Sequence, residues 1–172
     1  MAHRTHVGYL KPSFTSTQRF SWWSWCLCGL SRDHKAFAGK WYSLYSIPTL
    51  LDKNWKQTIE NYTLVEDDHF EVLTTYHKDG KPEEKSIKSK LFFDEHKPDG
   101  DMKAQFLWPF KIGYWVIELA DDYSYVVVGH PEEKYLFIMA REAKIEPELL
   151  RDIIERCRKI GYDTGSLVSQ EH

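Results

Sequence analysis

Gly39-Lys40-Trp41-Tyr42 opens the first alternating stretch of this 172-residue chain, and Asp121-Asp122-Tyr123 and then Arg141 stand near the far end of the pattern that follows. Between them the sequence is punctuated by Asp67-Asp68, Asp79-Gly80, Asp99-Gly100, Pro109 to Gly113, Asp121-Asp122 and His130-Pro131. Glycine supplies positive φ and aspartate bonds its own backbone, so these clusters mark chain reversals. The segments between them alternate apolar and polar residues, the period of a strand with one buried face. They predict strands near 40–47, 57–66, 69–77, 86–94, 102–108, 114–120, 123–129 and 135–141. The first connection, through Pro48, Leu50, Leu51, Asp52 and Trp55, is longer than a hairpin needs. Eight short strands joined in this way predict an all-β fold, an eight-stranded antiparallel up-and-down barrel without an open sheet edge.

One helix follows the strands. Pro147 suits a first helical turn, and Leu149, Leu150, Ile153, Ile154, Cys157 and Ile160 recur at helical spacing. Asp152/Arg156 and Glu155/Lys159 are i,i+4 pairs on the opposite face, and Gly161 stands where a C-terminal cap belongs. The apolar stripe predicts that the 147–160 helix packs on the outside of the barrel, with Cys157 buried and inert. Residues from Tyr162-Asp163 to Val168 are expected to run back as a short final strand.

The length suits one domain. A net charge of −3 with both signs interspersed excludes a basic nucleic-acid surface and a polybasic membrane patch. Residues 1–35 are set apart as an N-terminal extension from a barrel domain over 36–172. Arg4, Lys11 and Arg19 precede the short apolar run Phe20 to Leu30, which resembles a secretory signal and is too short to span a bilayer. Gly29-Leu30-Ser31 is a passable cleavage site, and a disordered extension is the alternative. Cys26 follows Trp25 and Cys28 follows Leu27, a poor context for lipidation, so a lipid anchor is not expected. No second ligand pair accompanies Cys26-Leu27-Cys28, and Cys157 alone in the barrel region precludes a disulfide there. The eight histidines show no paired spacing, so neither metal nor cofactor is expected.

The motifs in order resemble the lipocalins, small barrels that hold apolar ligands. Residues 36–170 more closely resemble the bacterial outer-membrane lipocalins, related to plant temperature-induced lipocalins and apolipoprotein D. Besides Gly39 and Trp41, the resemblance rests on Trp108-Pro109-Phe110-Lys111-Ile112-Gly113-Tyr114-Trp115-Val116, Gly129-His130-Pro131, Tyr135 to Arg141, and Gly161-Tyr162-Asp163. It departs at Asp121-Asp122, where the family usually has Thr-Asp, so Asp122 and Tyr123 keep only part of that motif. The resemblance implies that Trp41 plugs the closed end under the guanidinium of Arg141, a contact of about 0.5–2 kcal/mol. It further implies a binding or transport protein rather than an enzyme. The lack of a barrel disulfide fits the bacterial and plant branch.

Strand parity then selects the interior. Arg141 brings Met139, Phe137 and Tyr135 to one face, and Trp41 brings Ser43, Tyr45 and Ile47. The ligand-lining set predicted from parity and resemblance is Tyr45, Tyr62, Val72, Tyr76, Phe93, Phe106, Trp108, Tyr114, Phe137 and Met139. Such a lining suits a fatty acid, a lysophospholipid or a similar lipid, received between the 48–55 loop and its neighbours. The same parity turns Glu60 and Glu118 inward. A wet barrel end, a bulge or a basic partner would each relieve that cost, while a ligand anchor or a general acid/base pair would exploit it. Two other functions stay open: a lipocalin-type enzyme acting on a lipid, and an interaction module that dimerises or docks peripherally on a membrane through Leu50, Leu51 and Trp55. A signal at the N-terminus would place the protein in the cell envelope, in the periplasm or at the outer membrane.

Overall fold

The computed structural model describes residues 33–66, 68–93, 101–107 and 109–172. A four-residue helix α1 (His34–Phe37) precedes eight strands: β1 (Gly39–Ile47), β2 (Trp55–Val65), β3 (His69–Lys78), β4 (Glu84–Phe93), β5 (Asp101–Leu107), β6 (Phe110–Leu119), β7 (Tyr125–Gly129) and β8 (Leu136–Ala140). Helix α2 (Pro147–Lys159), a 3-10 turn (Thr164–Ser166) and a two-residue strand β9 (Val168–Ser169) complete the chain. Each strand pairs antiparallel with the next, and β1 pairs with both β2 and β8, so the sheet closes on itself. β9 pairs with Tyr45 and Ser46 of β1, beyond the Gly39–Tyr42 stretch that pairs with β2, and so extends the wall there.

Alternation drives the closure. Along β3, Phe70, Val72, Thr74 and Tyr76 are buried while Glu71 and Leu73 are exposed. Where pure alternation would misplace side chains, the strands carry bulges: between Ser43 and Tyr45 in β1, Lys56 and Ile59 in β2, and Val116 and Glu118 in β6. A bulge inserts one residue and so exchanges the faces beyond it. The sequence places a turn from Pro109 to Gly113, but Leu107 pairs with Phe110 and the reversal is confined between them. Residues 110–113 extend β6 because their backbone continues the ladder with β5.

Two apolar clusters result. One fills the closed end of the barrel, where Phe37, Trp41, Tyr62 and Phe70 pack together. The other lies between the outer wall and α2, joining Val127, Leu136 and Ile138 to Ile153 and Cys157. Pro147 begins α2 and Gly161, at φ +111°, follows its last turn. Leu149, Leu150, Ile153, Ile154 and Cys157 of the predicted stripe face the wall, whereas Ile160, past the last turn, is exposed. Asp33 Oδ1 accepts from the Ala36 amide (3.1 Å) and so caps α1, which therefore begins within the segment assigned from sequence to the N-terminal extension.

Candidate functional site

Trp41 is fully buried at the closed end, and its indole N–H donates to the Phe37 carbonyl at 2.9 Å. The Arg141 guanidinium lies over the indole, 3.8 Å from the ring centroid. Its two terminal nitrogens donate to the carbonyls of Lys40 (2.8 Å), Ala36 (2.7 Å) and Phe37 (3.1 Å), and its Nε to that of Tyr123 (3.4 Å). One cation thus ties α1, the start of β1 and the β6–β7 turn across the barrel base. Asp122 shapes that turn by accepting from the Ser124 amide at 3.0 Å, and Tyr123 occupies it at φ +58°. Gly39, at φ +97°, faces Arg141, whose Nη1 would lie 3.4 Å from any added Cβ.

Above this plug the barrel encloses a cavity of about 760 Å³, open at the end formed by the β1–β2 loop and the rim of β7–β8. Pockets for small molecules span about 300–1,000 Å³. The walls include Val72, Leu91, Ala104, Phe106, Ile112, Phe137 and Met139, and the mouth is bordered by Leu50, Leu51, Asp52, Lys53, Trp55, His130 and Lys134. Burial raises the Asp52 carboxyl above its usual range, although the Thr49 amide (2.6 Å) and hydroxyl both bond to it. His130 is held below the usual histidine range, by partial burial first and by the neighbouring Lys134 next.

The lining is not wholly apolar. Glu60 points inward, and the surface it keeps faces the cavity. The Tyr62 hydroxyl bonds to Glu60 Oε2 and lies 2.8 Å from the Tyr114 hydroxyl. Desolvation raises the Glu60 carboxyl and pushes both phenols well above their ordinary range. The carboxyl is therefore held toward its neutral form. Thr58 Oγ1 donates to Gln170 Oε1 at 3.0 Å, and Gln170 Nε2 donates to Ser46 Oγ at 3.0 Å. The Ser43 hydroxyl is buried on the same wall with no hydrogen-bond partner among the described residues.

Glu118 behaves differently. The β6 bulge turns it outward, where Arg156 of α2 grips it with two bonds (2.9 and 2.6 Å) and the Tyr125 hydroxyl donates at 2.5 Å. A bulge and a basic partner together resolve the parity conflict seen in the sequence. Cys157 lies between α2 and the wall, its thiol pushed up to about 12 by burial, far from any nucleophilic role in the cavity.

Of the ten residues predicted to line the interior, Tyr62, Val72, Phe106, Tyr114, Phe137 and Met139 converge on the cavity. Three do not. The β1 bulge sends Tyr45 to the outer face, where it packs with Ile47 against the α2 cluster. Phe93 belongs to the base, stacked on His34 at 4.0 Å, because α1 folds across that end. Tyr76 lies behind Trp55, whose indole stacks on it at 3.6 Å and faces the cavity in its place. Trp108 lies outside the described residues, as do Cys26, Cys28 and the signal-like run. Sequence reasoning missed Thr58, Ile87, Ser89, Ile112 and Gln170. Thr58 shares parity with Glu60 and Ile87 with Leu91, so both were within reach of alternation. Gln170 was not, since only the return of the C-terminal tail brings it to the wall.

A closed antiparallel barrel with a plugged base and an apolar cavity defines a small-molecule carrier scaffold. The chain belongs to the lipocalin family: the model of the lipocalin-like domain matches residues 33–172. It is 30% identical over 133 residues to the outer membrane lipoprotein Blc of Vibrio cholerae, spanning 77% of this chain and 78% of that one. It is 28% identical over 146 residues to temperature-induced lipocalin-1 of Arabidopsis thaliana, spanning 76% and 74%. Among solved structures, lobster apocrustacyanin A1 superposes with a TM-score of 0.71 at 15% identity, over 91% of this chain and 87% of that one. Insecticyanin from the tobacco hornworm Manduca sexta gives 0.64 at 19% identity, over 81% and 80%. Fold and family together support the binding of hydrophobic ligands in general.

Proposed function

We propose that this protein binds and carries a long-chain lipid, a fatty acid or a lysophospholipid, with its acyl chain inside the barrel and its head at the mouth. The observation that carries the reading is the apolar cavity ending in a rim that bears Lys53 and Lys134. Each buried methylene contributes about 0.8 kcal/mol before ordering costs. The rim lysines suit an anionic head, whereas Glu60 opposes a second acid at the floor. The signal-like residues near the N-terminus, and relatives named as outer membrane lipoproteins, support a place in the cell envelope. The poor context of Cys26 and Cys28 speaks against a lipid anchor here.

Titration of a fluorescent fatty acid against the parent, Phe137→Asp and Tyr114→Asp tests the reading, with folding checked by far-UV spectra. Each variant should lose at least about tenfold in affinity, because a charge must be desolvated where the chain packs. Folded variants that bind as the parent does would place the lipid elsewhere.

A second reading draws on Leu50 and Leu51, which are 90% and 74% exposed on the loop beside the mouth. Such side chains suit shallow insertion into a lipid surface, from which the carrier would load.

A further inference from the structure

The polar part of the cavity needs its own account. On β2, Glu60 pairs directly opposite Trp41, so its side chain sits beside the base plug and borders the floor of the cavity. Tyr62 occupies its Oε2, and Tyr62 and Tyr114 satisfy one another, which leaves Oε1 available to a ligand. Ser43 stands two residues along β1 from Trp41 and so lies diagonally across the ladder from Glu60, where such neighbours are about 7–8 Å apart. The residue is only 1% exposed, and its hydroxyl has no hydrogen-bond partner among the described residues. Buried hydroxyls are nearly always bonded, and an orphan destabilises the fold if nothing meets it. Two independent groups on adjacent strands thus offer unfilled hydrogen-bonding capacity to the same end of the cavity.

We propose that this end is a hydroxyl-recognition subsite, in which Glu60 and Ser43 receive an uncharged hydroxyl carried on the lipid far from its acidic head. The proposal rests on the carrier reading above and narrows it to hydroxylated acyl chains. A hydroxyl fits because it both donates and accepts, matching a carboxyl oxygen on one strand and a serine hydroxyl on the other. A carboxylate would set a second acid beside Glu60 in an apolar enclosure. An ammonium would require a buried ion pair whose desolvation offsets its attraction. A plain methyl end would leave Oε1 and the Ser43 hydroxyl covered and unpaired.

The test is calorimetric titration of the full chain with palmitate and with ω-hydroxypalmitate, which differ only at the buried end. A purely apolar floor favours palmitate, since the hydroxyl must leave water unrewarded. The subsite instead predicts that the parent favours ω-hydroxypalmitate by about fivefold, the worth of one net hydrogen bond. Glu60→Leu should reverse that order. Ser43→Ala, which removes only an unpartnered atom, should narrow the preference by about threefold without lowering the melting temperature, and it carries the test if Glu60→Leu does not fold. Equal binding by the parent, a parental preference for palmitate, or a preference that survives both substitutions overturns the subsite while leaving the carrier reading intact. Failure to bind either lipid overturns both.

Discussion

Replacing Arg141 by alanine should loosen the closed end of the barrel without touching the cavity. The guanidinium donates to the carbonyls of Ala36, Phe37 and Lys40 at 3.1 Å or less and covers the Trp41 indole at 3.8 Å. Net hydrogen bonds contribute about 0.5–1.5 kcal/mol each, and the cation–π contact about 0.5–2. The released carbonyls lie at a barrel end that water reaches, so part of this is recovered by hydration. The expected loss is about 2–4 kcal/mol. For a domain of this size that corresponds to a fall of about 5–15 °C in melting temperature. Arg141→Lys keeps a charge above the indole but loses the planar fork, so it should recover less than half of the deficit. Urea denaturation followed by tryptophan fluorescence measures the change, and fatty-acid affinity measured below the transition should match the parent. An unchanged midpoint in Arg141→Ala would refute the reasoning, because it would mean that α1 and β1 hold together without the cation.

Glu60 gives a pH signature of its own. Its folded carboxyl is raised by desolvation above the ordinary value of 4.5, so the folded protein keeps a proton that the unfolded chain releases, and stability is lost as pH rises through the folded value. Melting temperatures measured from about pH 4 to about pH 8 should therefore show Glu60→Gln gaining on the parent as pH rises; parallel profiles would deny the shift. Arg156→Ala strands the Glu118 carboxylate, only 14% exposed, against the barrel wall and should cost about 1–2 kcal/mol, with the double variant Glu118→Ala/Arg156→Ala recovering part of it in denaturation curves. Leu50→Ser/Leu51→Ser should abolish co-sedimentation with phospholipid vesicles if the loop docks on membranes, and should leave binding of a soluble fatty acid within about twofold, since it adds no charge near the head and neither leucine lines the deep wall.

Much of this architecture is legible in the chain because alternation is a local property. Val72 and Thr74 on β3, or Met102 and Ala104 on β5, are buried where polar neighbours predict it. Bulges escape such reading, because one inserted residue leaves no mark in composition. Tyr45 was lost to the bulge after Ser43, and Glu118 was misdirected until the bulge after Val116 turned it toward Arg156. The conflict at Glu118 is visible as a charge on an apolar face, but its resolution needs Arg156 on a helix 38 positions further along the chain. Glu60 carried the same mark and kept its inward place. Phe93 and Tyr76 were assigned the correct face and the wrong height, since parity says nothing about how far along the barrel axis a residue sits. His34 in α1 and Trp55 at the first position of β2 decide what those two rings touch.

Methionine methyl groups offer a direct view of where the lipid goes. Met102 and Met139 are both buried in the same apolar cluster, but of the two only Met139 borders the cavity. Spectra of protein carrying ¹³C-methyl methionine, recorded during titration with palmitate, should show the Met139 resonance moving in step with binding and saturating at one lipid per chain. A lipid that binds by calorimetry while the Met139 methyl stays in place, with the resonance assigned through Met139→Leu, would contradict an acyl chain held within the barrel.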